Sequence, residues 1–123
     1  GLNHYNIKTG NIQIYKNDIL DTTSISNDHV YSLLQLNNEE ILVGTQYGLN
    51  IFHYKSNSFT LYKPQIFKNK FINDMILDKR GDLWVCTSRS GLFKIERKTN
   101  RITQFTAPFA NGQGLNDNEV LAA

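Results

Sequence analysis

The sequence predicts an all-β fold of repeated four-stranded antiparallel units, and three observations predict it. First, Gly1 to Tyr15, Gly48 to Tyr62 and Gly91 to Phe105 align over fifteen residues each without a gap. Ile7, Tyr54 and Arg97 share a column, as do Gly10, Asn57 and Asn100 at a turn, then Ile12, Phe59 and Ile102, then Tyr15, Tyr62 and Phe105. Second, the copies are spaced 47 and then 43 residues apart. A period of about 40 to 50 residues marks an array in which each unit buries its apolar face against the next. Third, every block is short, rich in β-branched and aromatic residues, and bounded by Gly, Asn, Asp or Lys, the pattern of strands joined by tight connections. No convincing helix is read anywhere in the chain.

In chain order, residues 1–25 supply the second half of one unit and its connection. Residues 26–67 form a complete unit. It opens on the inner strand at Val30–Leu36, continues through Ile41–Thr45, and ends on the Gly48-Leu49 strand and a short outer one. Residues 68–110 repeat it, with Ile72–Asp78 matching Val30–Leu36 and Leu83–Thr87 matching Ile41–Thr45. Asp78-Lys79-Arg80-Gly81-Asp82 reads as a hairpin turn, because Gly81 can take the positive φ that closes a short loop. Its counterpart Asn37-Asn38-Glu39-Glu40 lacks the glycine, and asparagine is expected to take that backbone region at higher cost. Residues 111–123 begin a further unit, since Leu115–Val120 echoes Ile25–Val30.

Four antiparallel strands in about 45 residues make a β-propeller blade. The chain therefore holds about two and three-quarter blades, an incomplete propeller. A closed ring needs at least about four blades, and an open array exposes strand edges that invite pairing with other chains. The expectation is a window on a longer array, or several copies completing a ring.

Composition narrows the function classes only slightly. Thirteen basic and eleven acidic residues give a net charge of +2, too small for a polyanionic partner across the whole surface. Lys68 to Arg101 nevertheless holds nine of the thirteen basic residues with only Asp74, Asp78, Asp82 and Glu96 among the acids. That cluster reads as the solvated outer face of one blade. Nucleic-acid binding is not expected, because Phe71, Trp84 and Phe93 fall at repeat positions that suit packing. No apolar run approaches the ~18 residues of a membrane span, so any membrane contact is expected only through a parent protein. Cys86 is the sole cysteine, so no internal disulfide forms and the redox compartment is open.

The residues capable of chemistry are spread out. His4, His29 and His53 stand far apart with no cysteine at ligand spacing, so neither a metal nor another cofactor is expected. No nucleophile elbow, phosphate-cradling loop or catalytic carboxylate pair occurs, and no catalytic residue is assigned. Asp78 and Asp82 flank the hairpin and are expected to serve its backbone. Cys86, in the column of Gly44, reads as a small buried residue. Trp84 shares a column with Leu42 and is expected to pack between blades. Thr45 and Thr87 end their strands and are expected to bond the backbone of the next turn.

Val-x-Ser-Leu or Ile-x-Asp-Met, an Asp-x-x-Gly-x-Leu-Trp-Val-x-Thr run, and then Gly-Leu together resemble the two-component regulator propeller repeat. The second blade carries the pattern best, in Ile72, Asp78, Gly81, Leu83, Trp84, Val85, Thr87, Gly91 and Leu92. The first blade departs from it, with Leu36 for the aspartate, Leu42 for the tryptophan, no turn glycine, and one residue fewer between Thr45 and Gly48. The resemblance implies a periplasmic sensor region of an inner-membrane hybrid histidine kinase that reports on carbohydrate fragments, and no enzyme within this chain.

In a propeller, the connection into the inner strand and the connection between the second and third strands share one mouth of the channel. Those connections are Asn27-Asp28-His29, Asn69-Lys70 and Asp117-Asn118, with Gln46-Tyr47 and Ser88-Arg89-Ser90. The candidate ligand-binding residues are Asp28, His29, Gln46, Tyr47, Ser88 and Arg89, while Thr45, Gly48, Asp78, Gly81, Trp84, Thr87 and Gly91 are structural. The mixture suits a neutral or acidic oligosaccharide, with Tyr47 for stacking and Arg89 for a carboxylate. The alternative is a scaffold that binds protein partners or pairs with itself through its open edges.

Overall fold

The computed structural model describes residues 1–107, and among them strand pairs with strand in three separate antiparallel sheets. The first contains β1 (Leu2–Tyr5) and β2 (Ile12–Tyr15). The second contains β3 (Val30–Gln35), β4 (Glu40–Thr45), β5 (Gly48–His53) and β6 (Ser58–Leu61), hydrogen-bonded in that order. The third runs β7 (Ile72–Leu77), β8 (Leu83–Thr87), β9 (Leu92–Glu96) and β10 (Arg101–Phe105). Each four-stranded sheet is one blade, an all-β arrangement of an incomplete propeller. Residues 111–123, read as the start of a further blade, lie outside the described residues.

Register follows the repeat. Leu42 pairs with Ile51 and Val43 with Asn50 in one blade, while Trp84 pairs with Lys94 and Val85 with Phe93 in the other. The turn column holds as well, with Gly10 at φ 75, Asn57 at φ 53 and Asn100 at φ 64. Successive residues of a strand point to opposite faces. Leu42 and Leu49 accordingly meet Leu83, Val85 and Phe93 between the two blades, whereas Val43 joins Tyr15, Phe52 and Phe59 in a cluster against β1 and β2. Burying each such aliphatic or aromatic side chain contributes about 1.5 to 3 kcal/mol. The blades approach closely at Gly44, where a methyl group would stand 2.6 Å from Ile72 Cγ2 of the second blade and 2.3 Å from Ser32 Oγ of its own.

Two expectations need correction. A one-turn helix, α1 (Pro64–Phe67), occupies the connection between the blades, where no helix was expected. Proline suits the first helical position because its fixed φ is already helical and its missing N–H would be unpaired there. Lys63 before it is forced out of the right-handed region and sits at φ 44, ψ 61. Burial of Phe67 between the blades holds the turn in place.

Second, neither Asn37 nor Asn38 adopts a positive φ. The 36–40 hairpin closes instead through Leu36 N–H to Glu40 O at 3.0 Å and Glu39 N–H to Asn37 Oδ1 at 2.8 Å, so a side chain does what Gly81, at φ 84, does by backbone freedom. Trp84 is half-buried and holds the column that Leu42 holds in the first blade. Trp84 lies on the opposite face of β8 from Leu83 and Val85, and stacks on Phe105 within its own sheet, centroids 5.9 Å apart and planes at 19°.

Candidate functional site

The structural signature residues act as local staples. Thr45 Oγ1 donates to Gly48 O at 2.9 Å, and Thr87 Oγ1 donates to Gly91 O at 2.7 Å, each closing the turn that follows its strand. Gly91 sits at φ 79, and a methyl group there would stand 2.1 Å from Phe105 O. Asp78 Oδ1 accepts the N–H groups of Arg80 and Asp82 at 2.9 and 3.0 Å, and Oδ2 accepts Trp84 Nε1 at 3.0 Å. The indole bond is the main reason the Asp78 carboxyl lies below the usual carboxylate range. Cys86 is fully buried, and burial, reinforced by the Asp74 charge, pushes its thiol up to about 11. It stays protonated at neutral pH and unreactive as a nucleophile.

One end of the two blades carries an open cleft of about 700 Å³, lined by Gln46, Tyr47, Lys68, Asn69, Lys70, Phe71, Ser88, Arg89 and Ser90. Repeated hydrogen bonds bring its loops together. Gln46 N–H donates to His29 O at 3.0 Å in the first blade, and Ser88 N–H donates to Phe71 O at 3.0 Å in the second, the same pair of columns. Each bond ties the entry to an inner strand to the turn between the second and third strands. The inner strands break register at Tyr31 and Asn73. Such bulges redirect side chains. Here Asn73 Nδ2 donates to Ser88 Oγ at 3.1 Å, and the Tyr31 ring meets Phe71 at 4.5 Å.

Of the six candidate ligand-binding residues, Gln46, Tyr47, Ser88 and Arg89 line this cleft, and Asp28 and His29 do not. Asp28 Oδ1 accepts the Asn17 N–H at 2.6 Å, fastening the preceding connection. His29 lies on the far side of Gln46, where Asn27 Oδ1 accepts its N–H at 2.8 Å and its ring Nδ1 lies 3.2 Å from the same oxygen. Tyr47 is 52% exposed, leaving a ring face open to a ligand.

Sequence reasoning missed Lys68 and Phe71 and gave Lys70 no role beyond its loop. The available signal was the basic excess between Lys68 and Arg101, read as an outer solvated face; three of those cations instead line the cleft. Arg89 and Asn69 both take left-handed backbone, at φ 72 and 62. No cluster of His, Cys, Asp and Glu able to hold a metal occurs among the described residues. Nor, among them, is any helix long and apolar enough to cross a membrane.

Comparison with known proteins agrees with the fold. The family profile described as two component regulator propeller matches residues 66–89. The chain is similar in structure to the extracellular domain of the hybrid two component system BT4673 from B. thetaiotaomicron. That match has a TM-score of 0.74 at 24% identity over 99% of this chain and 16% of that one. It is also similar to the extracellular domain of the hybrid two component system BT3049 of the same organism, with TM-score 0.69, 20% identity, 89% of this chain and 16% of that one. A third similar structure is PorZ of the type-IX secretion system of Porphyromonas gingivalis, with TM-score 0.65, 16% identity, 95% of this chain and 18% of that one. No curated protein matches in sequence. The chain thus spans less than a fifth of the length of each of these structures. The matched residues 66–89 run from the inner strand's entry through the Leu-Trp-Val-x-Thr run and resemble the two-component regulator propeller repeat.

Proposed function

We propose that these blades belong to the extracytoplasmic sensor of a hybrid two-component regulator, which binds an oligosaccharide and passes occupancy to a downstream histidine kinase. The observation that carries this reading is the cleft at the shared loop end, where polar and cationic side chains surround the exposed Tyr47 ring. Sugar recognition needs that combination: a flat apolar face for the ring and several donors for hydroxyls. The likeness to extracellular domains of hybrid two component systems supports an extracytoplasmic location. Signalling asks nothing catalytic of the chain, and the inert Cys86 fits that role.

The test is calorimetric titration of the full-length protein with neutral and acidic oligosaccharides, beside a Tyr47→Ala variant. Binding that Tyr47→Ala weakens at least about tenfold, the loss of ~1.4 kcal/mol or more of stacking, supports the reading. Saccharide binding indifferent to Tyr47 assigns the site elsewhere.

The apolar gap of about 260 Å³ beside β1 and β2, lined by Leu2, Tyr15, Leu33, Ile41, Val43 and Phe52 among others, favours a second role for this surface. It suits further blades of the same protein, whose strands would cover Val43 and Phe52 as Leu42 and Leu49 cover Val85 and Phe93.

A further inference from the structure

We infer that the ligand of the cleft is an anionic saccharide, its carboxylate or sulfate groups held by Lys68, Lys70 and Arg89. The inference rests on reading the cleft as the oligosaccharide site. Its first support is charge. Three cations line the cleft and no acidic residue does, in a chain whose net charge is only +2. Three cations elsewhere do have carboxylate partners, Lys55 with Glu39, Lys94 with Asp82 and Arg101 with Glu96. Among the described residues no carboxylate forms an ion pair with Lys68, Lys70 or Arg89. Gathering like charges around one concavity raises the free energy of the empty site, and an anion that enters it reverses that term.

The second support is that the repeat does not demand these cations. In the preceding blade the columns of Lys68 and Lys70 hold Ser26 and Asp28, and Arg89 lies in the turn that is one residue longer than its counterpart. The fold is built equally well with a hydroxyl and a carboxylate at the first two positions, so the positive charge belongs to this cleft and not to blade architecture.

The third support is backbone conformation. Arg89 stands at φ 72, where an L side chain meets its own carbonyl and glycine or asparagine is the usual occupant. The turn keeps that shape because Thr87 N–H bonds Gly91 O at 3.1 Å and Gln104 Nε2 bonds Ser90 O at 2.9 Å. A strained residue held by its surroundings is characteristic of ligand sites, where the guanidinium gains a fixed approach. Arginine then supplies a planar fork for a carboxylate or sulfate, and the lysines supply point charges. Tyr47 and Phe71 give the sugar rings apolar faces. A nucleic acid fits less well, since base stacking along a strand needs a longer series of exposed rings than this cleft offers.

The experiment is titration of the full-length protein with four probes: tetragalacturonic acid, a heparin-derived sulfated tetrasaccharide, neutral maltotetraose and a single-stranded DNA oligonucleotide. The inference expects one or both acidic saccharides to bind, more weakly as salt rises, with the two acidic arms separating carboxylate from sulfate recognition. Arg89→Gln and the double variant Lys68→Gln/Lys70→Gln are each expected to weaken that binding about tenfold or more, from the loss of a charge-assisted bond. Arg89→Gly supplies a readout that a structural role would not give: release from the left-handed strain raises the melting temperature while acidic-saccharide binding is lost. Maltotetraose binding that the three cation variants leave unchanged overturns the inference and spares the oligosaccharide reading. Binding of the oligonucleotide alone, or of none of the four probes, overturns both.

Discussion

The two blades close the same corner by different chemistry. In the first, Ser26 ahead of the inner strand is fastened to the third strand by polar bonds. Its N–H donates to Asn50 Oδ1 at 3.0 Å, Asn50 Nδ2 donates to Ser26 Oγ at 2.8 Å, and Ser26 Oγ lies 3.0 Å from Thr45 Oγ1. In the second, the columns of Ile25, Ser26 and Asn50 hold Phe67, Lys68 and Phe93. There the Phe67 ring meets Phe93 edge to face at 5.1 Å and 70°. The corner requires that the connection be anchored to the third strand, and either bonds or rings satisfy it. The aromatic solution has a functional consequence: once Phe67 and Phe93 anchor the connection, the next position no longer has to bond inward. Lys68 lines the cleft, and also the neighbouring depression that holds Asp18 and Asp21.

The largest expected effect is on that aromatic corner. Phe67 is completely buried, and Phe67→Ala should cost about 3 to 5 kcal/mol through lost transfer energy and the cavity left behind. Asn50→Ala, which leaves the Ser26 N–H without its acceptor, should cost about 1 to 3 kcal/mol. Urea denaturation of the two variants beside the parent gives both numbers. Equal losses would mean that the corners are energetically alike and that the swap of rings for bonds carries no advantage in stability.

A second column sharpens the comparison. Gly44 and Cys86 are equivalent, and among the described residues Gly44 is pressed by the inner strand of the following blade, at Ile72. Gly44→Ala should therefore overpack the junction and cost about 1 to 3 kcal/mol, whereas Cys86→Ala should cost about 1 kcal/mol. A Gly44→Ala variant as stable as the parent would show that the blades slide apart at no cost, contrary to the close packing of β3 against β7.

Blade count within the described residues, strand order and the turn column were legible because each depends on period-two burial and on left-handed turns, both of which leave marks in neighbouring residues. Thr45, Thr87 and Asp78 were legible for the same reason, since their partners lie within a few residues. The one-turn helix at Pro64 was not, because its stability comes from Phe67 packing between blades and not from any helical period. The cleft was half legible. Topology placed Gln46, Tyr47, Ser88 and Arg89 at one end, but Lys68 reaches it only because the Phe67–Phe93 pair relieves that column of its anchoring role. Contacts 26 residues apart in sequence are invisible to local pattern. Asp28 and His29 lie outside the cleft lining, where bonds to Asn17 and Asn27 employ them locally.

The hairpins at 36–40 and 78–82 offer the smallest but most specific test. Leu36 cannot titrate, whereas Asp78 holds the second hairpin and Trp84 with one carboxylate. The Trp84 indole bond, with the backbone N–H groups of Asp82 and Arg80 and the Lys94 charge, lowers the Asp78 value below that of the unfolded chain, against the opposing effect of burial. A carboxyl with a depressed folded value contributes stability that is complete above its unfolded value of about 3.9 and is lost as pH falls through the folded one. Acid should therefore loosen the second hairpin and leave the first unaffected by this group. Trp84 is the only tryptophan, so its fluorescence reports the event without labelling. The parent should show an emission change below about pH 3.9, and Asp78→Asn should abolish it. A transition that persists in Asp78→Asn would assign acid sensitivity to another carboxylate and dissolve the proposed difference between the hairpins.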